Sequence, residues 1–370
     1  MVTGPAAPRP RACQSVAMPT LDELGGWPAV LGRLLAKDHL SEAQAAAALS
    51  AILAGEASPA QVAAFMIGLR AKGETSEEMG ALVRTMLRFA EPVPVDPGIE
   101  LVDTCGTGGD RAGTVNISTM AALVVAGAGA KVCKHGNRAA SSQAGSADVL
   151  EALGVAIDLG PQGVARCLAE AGMGFCFAIR FHPALRHAGP VRRELGVPTV
   201  FNFLGPLANP ARPRRQVIGV SDPAMAETVA GVLEANGATR AMVVFGHDGL
   251  DELTTTTTST VIEVGGGAGG RRRYTVDPRQ LGLAPAAPPE LRGGDAGANA
   301  EAARRVLGGA HGAHRDVVAL NAAAGLVVAG LADDLAAGVE LARVTIDAGR
   351  AAGVLERLIE ASGKAKADEG

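Results

Sequence analysis

Three clusters of residues have types and spacing suited to chemistry. The first is Asp103-Thr104-Cys105-Gly106-Thr107-Gly108-Gly109-Asp110, which follows a short apolar run from Ile99 to Val102. Thr114-Val115-Asn116-Ile117-Ser118-Thr119 comes next and opens an apolar stretch that reads as a helix. Glycines between a strand and a helix let several backbone N–H groups turn toward one anion. Asp103 and Asp110 flank that position, which suggests a polyphosphate that arrives with a metal or a sugar. A Gly-rich turn alone is equally an ordinary left-handed turn, and Ser118 and Thr119 alone are equally a helix cap. Asn116, Ser118 and Thr119 at the start of the next helix favour the anion site.

The second cluster is Lys134-His135-Gly136-Asn137-Arg138, then Ser141-Ser142 and Gly145-Ser146-Ala147-Asp148. It again lies between a strand (Lys131 to Cys133) and a helix, with cations and hydroxyls offered to a second phosphate. A solvated polar loop is the plainer alternative. Two such loops at successive strand ends argue against it, because open α/β sheets bind ligands at the carboxyl ends of their strands. The third cluster, Asp248-Gly249-Leu250-Asp251-Glu252, sets two adjacent carboxylates after a strand ending at Phe245. Such a pair suits Mg²⁺ shared with substrate phosphates, although it is often only a charged surface turn.

His182 with Arg186, Arg192 and Arg193 forms a weaker group. One arginine could clamp a carboxylate, and another is expected to pair with Glu194 on a helix surface. His182 is as readily structural as functional. Residues 196–210 read as a stiff interdomain strap. No Gly-x-Ser-x-Gly elbow, zinc spacing or Walker Gly-Lys-Ser/Thr occurs, which argues against a serine hydrolase, a zinc enzyme and an ATP-binding P-loop.

The elements that position these groups fall into two kinds. Residues 19–91 read as helices throughout, with Ser41 to Gln44, Ser58-Pro59 and Thr75 to Glu78 as helix starts, and the stretch ends at the linker Glu91-Pro92-Val93-Pro94. From residue 99 short apolar runs alternate with helices. The runs are 99–103, 130–133, 174–178, 215–220, 240–245, 260–264 and 272–276; the helices include 118–128, 141–153, 161–171, 222–236, 298–307, 316–330 and 333–349. The expectation is an α/β fold: a small all-helical N-terminal domain and a larger α/β domain with a mostly parallel central sheet flanked by helices. The helical domain is expected over 19–94 and rejoined by about 182–212; the α/β domain takes 97–181 and 213–363. Residues 1–18 read as a disordered extension, with Met18 as an alternative start, and 265–270 and 284–296 as surface loops.

The chain has 370 residues, enough for two domains, and its aromatic content of 3% leaves Ala, Val, Leu and Gly to build the core. A net charge of −4 gives no reason to expect a nucleic-acid or membrane partner. The five cysteines form no CxxC pair and suit a reduced, cytoplasmic protein.

With these residues in view, the sequence resembles the type III phosphoribosyltransferases, and among them the anthranilate phosphoribosyltransferases of tryptophan biosynthesis. The resemblance rests on GTGGD at 106–110, NIST at 116–119, KHGNR at 134–138, GPVRRELG at 189–196 and FNFLGPLANP at 201–210. DGLDELT at 248–254, LRGGDAGANA at 291–300 and LNAAAGL at 320–326 continue it, in family order from about residue 20 to 360. It implies an active site at the hinge between the domains and a homodimer formed through the helical one. It implies 5-phosphoribosyl 1-pyrophosphate and anthranilate as substrates and Mg²⁺ as cofactor.

Carried over by position, Gly106, Gly109, Asp110, Thr114, Asn116, Ile117, Ser118 and Thr119 would meet the phosphoribosyl pyrophosphate. So would Lys134, His135, Gly136, Asn137, Arg138, Ala139, Ala140, Ser141, Ser142 and Ser146. Gly106, Asn137 and Arg192 would meet anthranilate; Ser118, Asp251 and Glu252 would hold the metal; Asp110 and Lys134 would be catalytic. Arg180 departs from the family, which more often has a proline two residues after the phenylalanine. A pyrimidine nucleoside phosphorylase on the same fold, and a non-catalytic nucleic-acid-binding relative, remain alternatives at this point.

Overall fold

The computed structural model describes residues 19–139, 143–265 and 270–369. The expected N-terminal extension, Ala140, Ser141, Ser142 and most of the 265–270 loop lie outside the described residues.

The N-terminal part is built from α1 (Gly26–Leu35), α2 (Glu42–Ala54), α3 (Pro59–Lys72) and α4 (Ser76–Phe89). Reciprocal capping boxes start three of these helices, at Ser41/Gln44, Ser58/Gln61 and Thr75/Glu78. Each side-chain cap satisfies backbone N–H groups the helix cannot, worth about 1 kcal/mol. Glu78 does more than cap. It is buried, accepts Leu40 N–H at 2.7 Å and pairs with Lys72 at 2.8 Å, which ties the start of α4 to the end of α3 and the approach to α2.

The α/β part is organised by a seven-stranded sheet in the order β3-β2-β1-β4-β5-β6-β7. Its strands are β1 (Leu101–Gly106), β2 (Lys131–Gly136), β3 (Met173–Phe177), β4 (Arg215–Gly219), β5 (Arg240–Gly246), β6 (Ser259–Val264) and β7 (Arg272–Val276). The first five are parallel to their neighbours; β6 and β7 continue antiparallel. Alternate residues of β5 feed opposite faces: Met242 and Val244 join one core, Ala241, Val243 and Phe245 the other. The first core is shared with α5 (Ile117–Gly127), α6 (Ser146–Ala152), α7 (Pro161–Ala171), α12 (Ala296–Leu307), α13 (Ala313–Ala329), α14 (Leu335–Asp347) and α15 (Arg350–Glu369). The second joins the helical part to α11 (Ala226–Ala235) and to α10 (Phe201–Leu207).

The chain runs outward from β1 through β2 to β3, then returns to place β4 on the other side of β1. That reversal makes the carboxyl ends of β1 and β4 a topological switch point, where open α/β sheets form their ligand crevice.

Four expectations need correcting. β1 runs through Gly106, so Asp103 belongs to the strand rather than to the loop. Helix α6 starts at Ser146, not 141. The backbone folds so tightly there that a Cβ on Gly145 would meet the backbone of Asn137 to Ala139, and Asp148 accepts N–H groups from Ala139 and Gly145, each at 2.9 Å. The strap at 196–210 contains α10, whose Phe201, Phe203, Leu204 and Leu207 are buried. Helix α15 was not anticipated.

After β3, the chain makes α8 (Ala178–Phe181), a 3-10 turn (Pro183–His187) and α9 (Gly189–Leu195), the last two within the stretch from about 182 expected to rejoin the helical domain. Arg180 pairs with Glu91 of the linker at 2.8 Å, and Glu91 N–H donates to Phe181 O at 3.1 Å. Among the described residues no helix is long and apolar enough to cross a membrane. Cys105, Cys133, Cys167 and Cys176 are free and buried; Cys13 lies outside the described residues.

Candidate active site at the sheet switch point

Gly106 and Gly219 end β1 and β4 side by side in register. The turn after β5 folds over both. A Cβ on Gly106 would overlap the Asp251 carboxylate, and one on Gly219 would overlap the Asp251 carbonyl. Only glycine at these two strand ends lets the acidic turn nest against the sheet. Asp251 then accepts Gly108 N–H at 2.6 Å, and Glu252 accepts Ser118 N–H at 3.2 Å. The acidic pair thus joins the glycine loop to the start of α5. The loop itself uses left-handed backbone at Gly108, Gly109, Arg111 and Gly113. Ser221, just after β4, donates to Gly108 O at 2.8 Å and its N–H donates to Thr107 Oγ1 at 3.1 Å.

The carboxylates here are crowded. Burial pushes Asp251 up to about 7, helped by repulsion from Asp110. Burial and then the Asp251 charge push Glu252 up to about 8, against the pull of the Lys134 ammonium. Asn321 of α13 holds the turn from behind: its side chain accepts Leu253 N–H at 2.9 Å and donates to Leu253 O at 2.7 Å. No three His, Cys, Asp or Glu among the described residues form a closed metal cage. A partial set, with the remaining positions left to substrate oxygens and water, is how Mg²⁺ is commonly bound beside phosphates, and the crowded acids fit that need.

Several residues sit differently from expectation. Lys134 lies within β2 and is 1% exposed; its ammonium donates to Thr104 O and meets Ser118 Oγ at 3.1 Å. It supports the site from beneath rather than offering charge from a loop. Asp103 does not flank an anion: it is fully buried and accepts from Asn209 Nδ2 at 2.8 Å and His135 N–H at 3.2 Å. His135 and His182 are buried with their rings 5.2 Å apart, and burial drives them down to about 3 and about 4. His135 meets Gly205 O of α10 at 2.9 Å and His182 meets Ala208 O at 3.0 Å, so both are structural.

Asn116 caps nothing with its side chain; its amide donates to Ala144 O at 3.1 Å and accepts from Asn299 at 2.8 Å. Thr114 makes a β-bridge with Arg292, while Ile117 and Thr119 are buried. Arg138 is committed to Asp148 at 2.9 Å and Glu151 at 2.8 Å, not to an open anion site. Ser146 Oγ reaches Asn137 O at 3.4 Å, and a Cβ on Gly136 would overlap that hydroxyl. Asn137 itself is exposed, as is Ala139 in part.

Arg192 of α9 is half-buried over the Phe201 ring at 5.5 Å. Burial lowers its pKa, and it has no ion-pair partner among the described residues. Nor does Arg186 or Arg193; the expected pairing with Glu194 is not formed. A half-buried guanidinium against an aromatic ring suits a planar carboxylate.

Gly219, Ser221, Asn209 and Asn321 were missed as parts of this region. Asn209 and Asn321 lie inside quoted motifs; Gly219 and Ser221 carry no local signal, because Gly219 matters through the Asp251 turn thirty-two residues on and Ser221 through the glycine loop more than a hundred residues back.

With this geometry in hand, comparison with known proteins defines the class. Residues 28–90 match the glycosyl transferase family, helical bundle domain, and residues 98–352 match the glycosyl transferase family, a/b domain. The chain belongs to this glycosyl transferase family. It is 53% identical over 341 residues to the anthranilate phosphoribosyltransferase of Salinispora arenicola, covering 90% of this chain and 96% of that protein. It is 56% identical over 346 residues to that of Acidothermus cellulolyticus, covering 92% and 96%. Among solved structures, anthranilate phosphoribosyltransferase from Thermus thermophilus matches with a TM-score of 0.85 at 44% identity, over 90% of this chain and 99% of that one. The Saccharomyces cerevisiae enzyme in complex with PRPP and Mg matches with a TM-score of 0.82 at 25% identity, over 91% and 98%.

Proposed function

We propose that the protein transfers the phosphoribosyl group of 5-phosphoribosyl 1-pyrophosphate to the amine of anthranilate. The products are N-(5-phosphoribosyl)anthranilate and pyrophosphate, a step of tryptophan biosynthesis. The observation that carries this reading is the Asp251-Glu252 turn nested on the glycine loop at the switch point, in a chain similar over nine-tenths of its length to relatives of that name.

Pyrophosphate leaves from C1 of the ribose, and negative charge grows on its oxygens. Gly109 N–H of the loop would receive that charge, while Gly108 N–H and Ser118 N–H, held by Asp251 and Glu252, fix the loop and α5 beside it. Asp251, Glu252 and Ser118 would hold Mg²⁺, which supplies electrostatic stabilisation of the leaving group when bound. Asp110 stabilises positive charge growing on the ribose ring. Lys134 balances the buried acids from below. Asn137, exposed beyond β2, and Arg192, across on α9, orient the acceptor, with Arg192 taking its carboxylate. An aniline nitrogen needs no strong base to unmask it, so positioning supplies most of the rate.

In this reading residues 19–94 and about 182–212 move as one body against 97–181 and 213–363, and closure excludes water from the cation-like centre. A homodimer through the helical domain and a cytoplasmic location complete the proposal; Leu35 of α1, 86% exposed, and Ile67 of α3, 38% exposed, are apolar surface that a second copy would cover.

The test is the decay of anthranilate fluorescence on addition of 5-phosphoribosyl 1-pyrophosphate, with and without Mg²⁺. Decay that needs all three components is expected. No decay, together with release of uracil from uridine and inorganic phosphate, would overturn the reading in favour of a nucleoside phosphorylase.

A further inference from the structure

A cavity of the described structure lies away from the switch point. It holds about 730 Å³ and opens at the other end of the sheet, between the later half of α4, the segment leading from α10 into β4, and the end of α11. Arg84, Arg88, Arg212 and Arg214 line it, with no aspartate or glutamate among the lining residues. Apolar surface comes from Leu87 and Val232. Of the four arginines, Arg212 and Arg214 have no acidic partner among the described residues, in a chain whose acids outnumber its bases 38 to 34.

The two arginines from the α10–β4 segment are positioned without being neutralised. Arg214 Nε donates to Gly237 O at 2.8 Å, and Arg212 Nη2 reaches Leu87 O at 3.4 Å. A carbonyl orients a guanidinium but leaves its charge and its remaining donors available. Arg84 differs, since it pairs at the exposed rim with Glu42 at 2.7 Å. Arg212 also sits at φ 51°, left-handed backbone that a residue with a Cβ seldom adopts. Strain of this kind concentrates at functional positions.

We propose that this cavity is a binding site for a small organic anion. Arg212 and Arg214 take its acidic headgroup, a carboxylate or a phosphate, and its apolar or aromatic body lies against Leu87 and Val232. Its volume falls in the range of about 300–1,000 Å³ usual for small-molecule pockets. Because α4 supplies one wall and β4 and α11 the other, an occupant bridges the helical and α/β parts. Asn209 also lines the cavity and donates to Asp103 Oδ2 at 2.8 Å and Cys133 O at 2.7 Å, so the site adjoins the strands that carry both catalytic loops.

The experiment is a fluorescence titration of the full chain with 8-anilinonaphthalene-1-sulfonate, in the presence of saturating 5-phosphoribosyl 1-pyrophosphate and Mg²⁺. One saturable site per chain is expected. Arg212→Gln with Arg214→Gln, and separately Leu87→Trp, should each weaken it at least about tenfold while anthranilate turnover stays at the wild-type level. 2-Naphthoate or 2-naphthyl phosphate should displace the probe, and whichever acts at lower concentration identifies the headgroup. Displacement by neutral 2-naphthol at that concentration, loss of binding when substrates saturate the enzyme, or unchanged affinity in both variants would overturn the proposal. Probe binding and turnover are read separately, so failure here leaves the catalytic reading standing.

Discussion

The two ends of the central sheet hold opposite charge problems. At the carboxyl ends of β1, β4 and β5 the fold crowds Asp110, Asp251 and Glu252 together and raises two of them into the neutral range. At the amino end of β4 it gathers guanidinium groups with no acid in the cavity lining. Isolated exposed charges teach little, because water screens them. At one end the Gly108 and Ser118 N–H groups hold the acids above Lys134; at the other the Gly237 and Leu87 carbonyls orient Arg214 and Arg212, and the two proposed occupants, a cation with polyphosphate and an organic anion, follow those opposite charges.

The largest effect should come from Asp251→Ala with Glu252→Ala. Turnover is expected to fall on the order of 10³-fold, since metal stabilisation of a leaving group supplies several kcal/mol. Steady-state kinetics across a Mg²⁺ titration check it, and an unchanged Mg²⁺ dependence would remove the acidic end from the metal site. Next, Arg192→Ala should raise KM for anthranilate about 10–100-fold, the worth of a charge-assisted hydrogen bond, with a much smaller change for the sugar pyrophosphate. Equal changes in both constants would refute a carboxylate clamp.

Gly219→Ala is a packing test. It should destabilise the chain by about 1–3 kcal/mol, read from urea unfolding, because its Cβ has no room beside the Asp251 carbonyl. The smallest effect is one of pH. In metal-free protein Asp251 and Glu252 keep protons to about 7 and about 8, whereas the unfolded chain releases them near 4. The folded state therefore binds more protons, and stability should fall as pH rises through roughly 4 to 8. Tm scans should show this decline, flattened in Asp251→Asn with Glu252→Gln and offset by Mg²⁺ toward pH 8.

Much of this was legible in the sequence. All seven strands overlap the runs read from the sequence; for the five parallel strands the reason is that strands buried on both faces need apolar residues on both. The glycine loop and acidic pair were legible as motifs, since chemistry at a strand end uses residues the core cannot. What was not legible depends on distant contacts. Lys134 reads as a solvated loop cation until β2 buries it against Thr104 and Ser118. Arg138 reads as a phosphate ligand until α6 brings Asp148 and Glu151 beside it. Helix α15 ends in Lys364-Ala365-Lys366-Ala367-Asp368-Glu369, which reads as a tail; yet Ala365 is buried and Glu369 accepts Gly160 N–H at 2.8 Å. Asp103, between an apolar run and a glycine loop, reads as flanking an anion and is instead a buried anchor for β2 and Asn209.

Gly106 and Gly219 carry a consequence for redesign. The acidic turn is located by the absence of two side chains, so no substitution at either strand end can tune it by degrees. A library randomised at these positions should return glycine from functional selection, whatever the acceptor supplied. On the proposed reading, altered acceptor preference is to be sought on α9 and α10, where Arg192 and Phe201 offer atoms that can be exchanged one at a time.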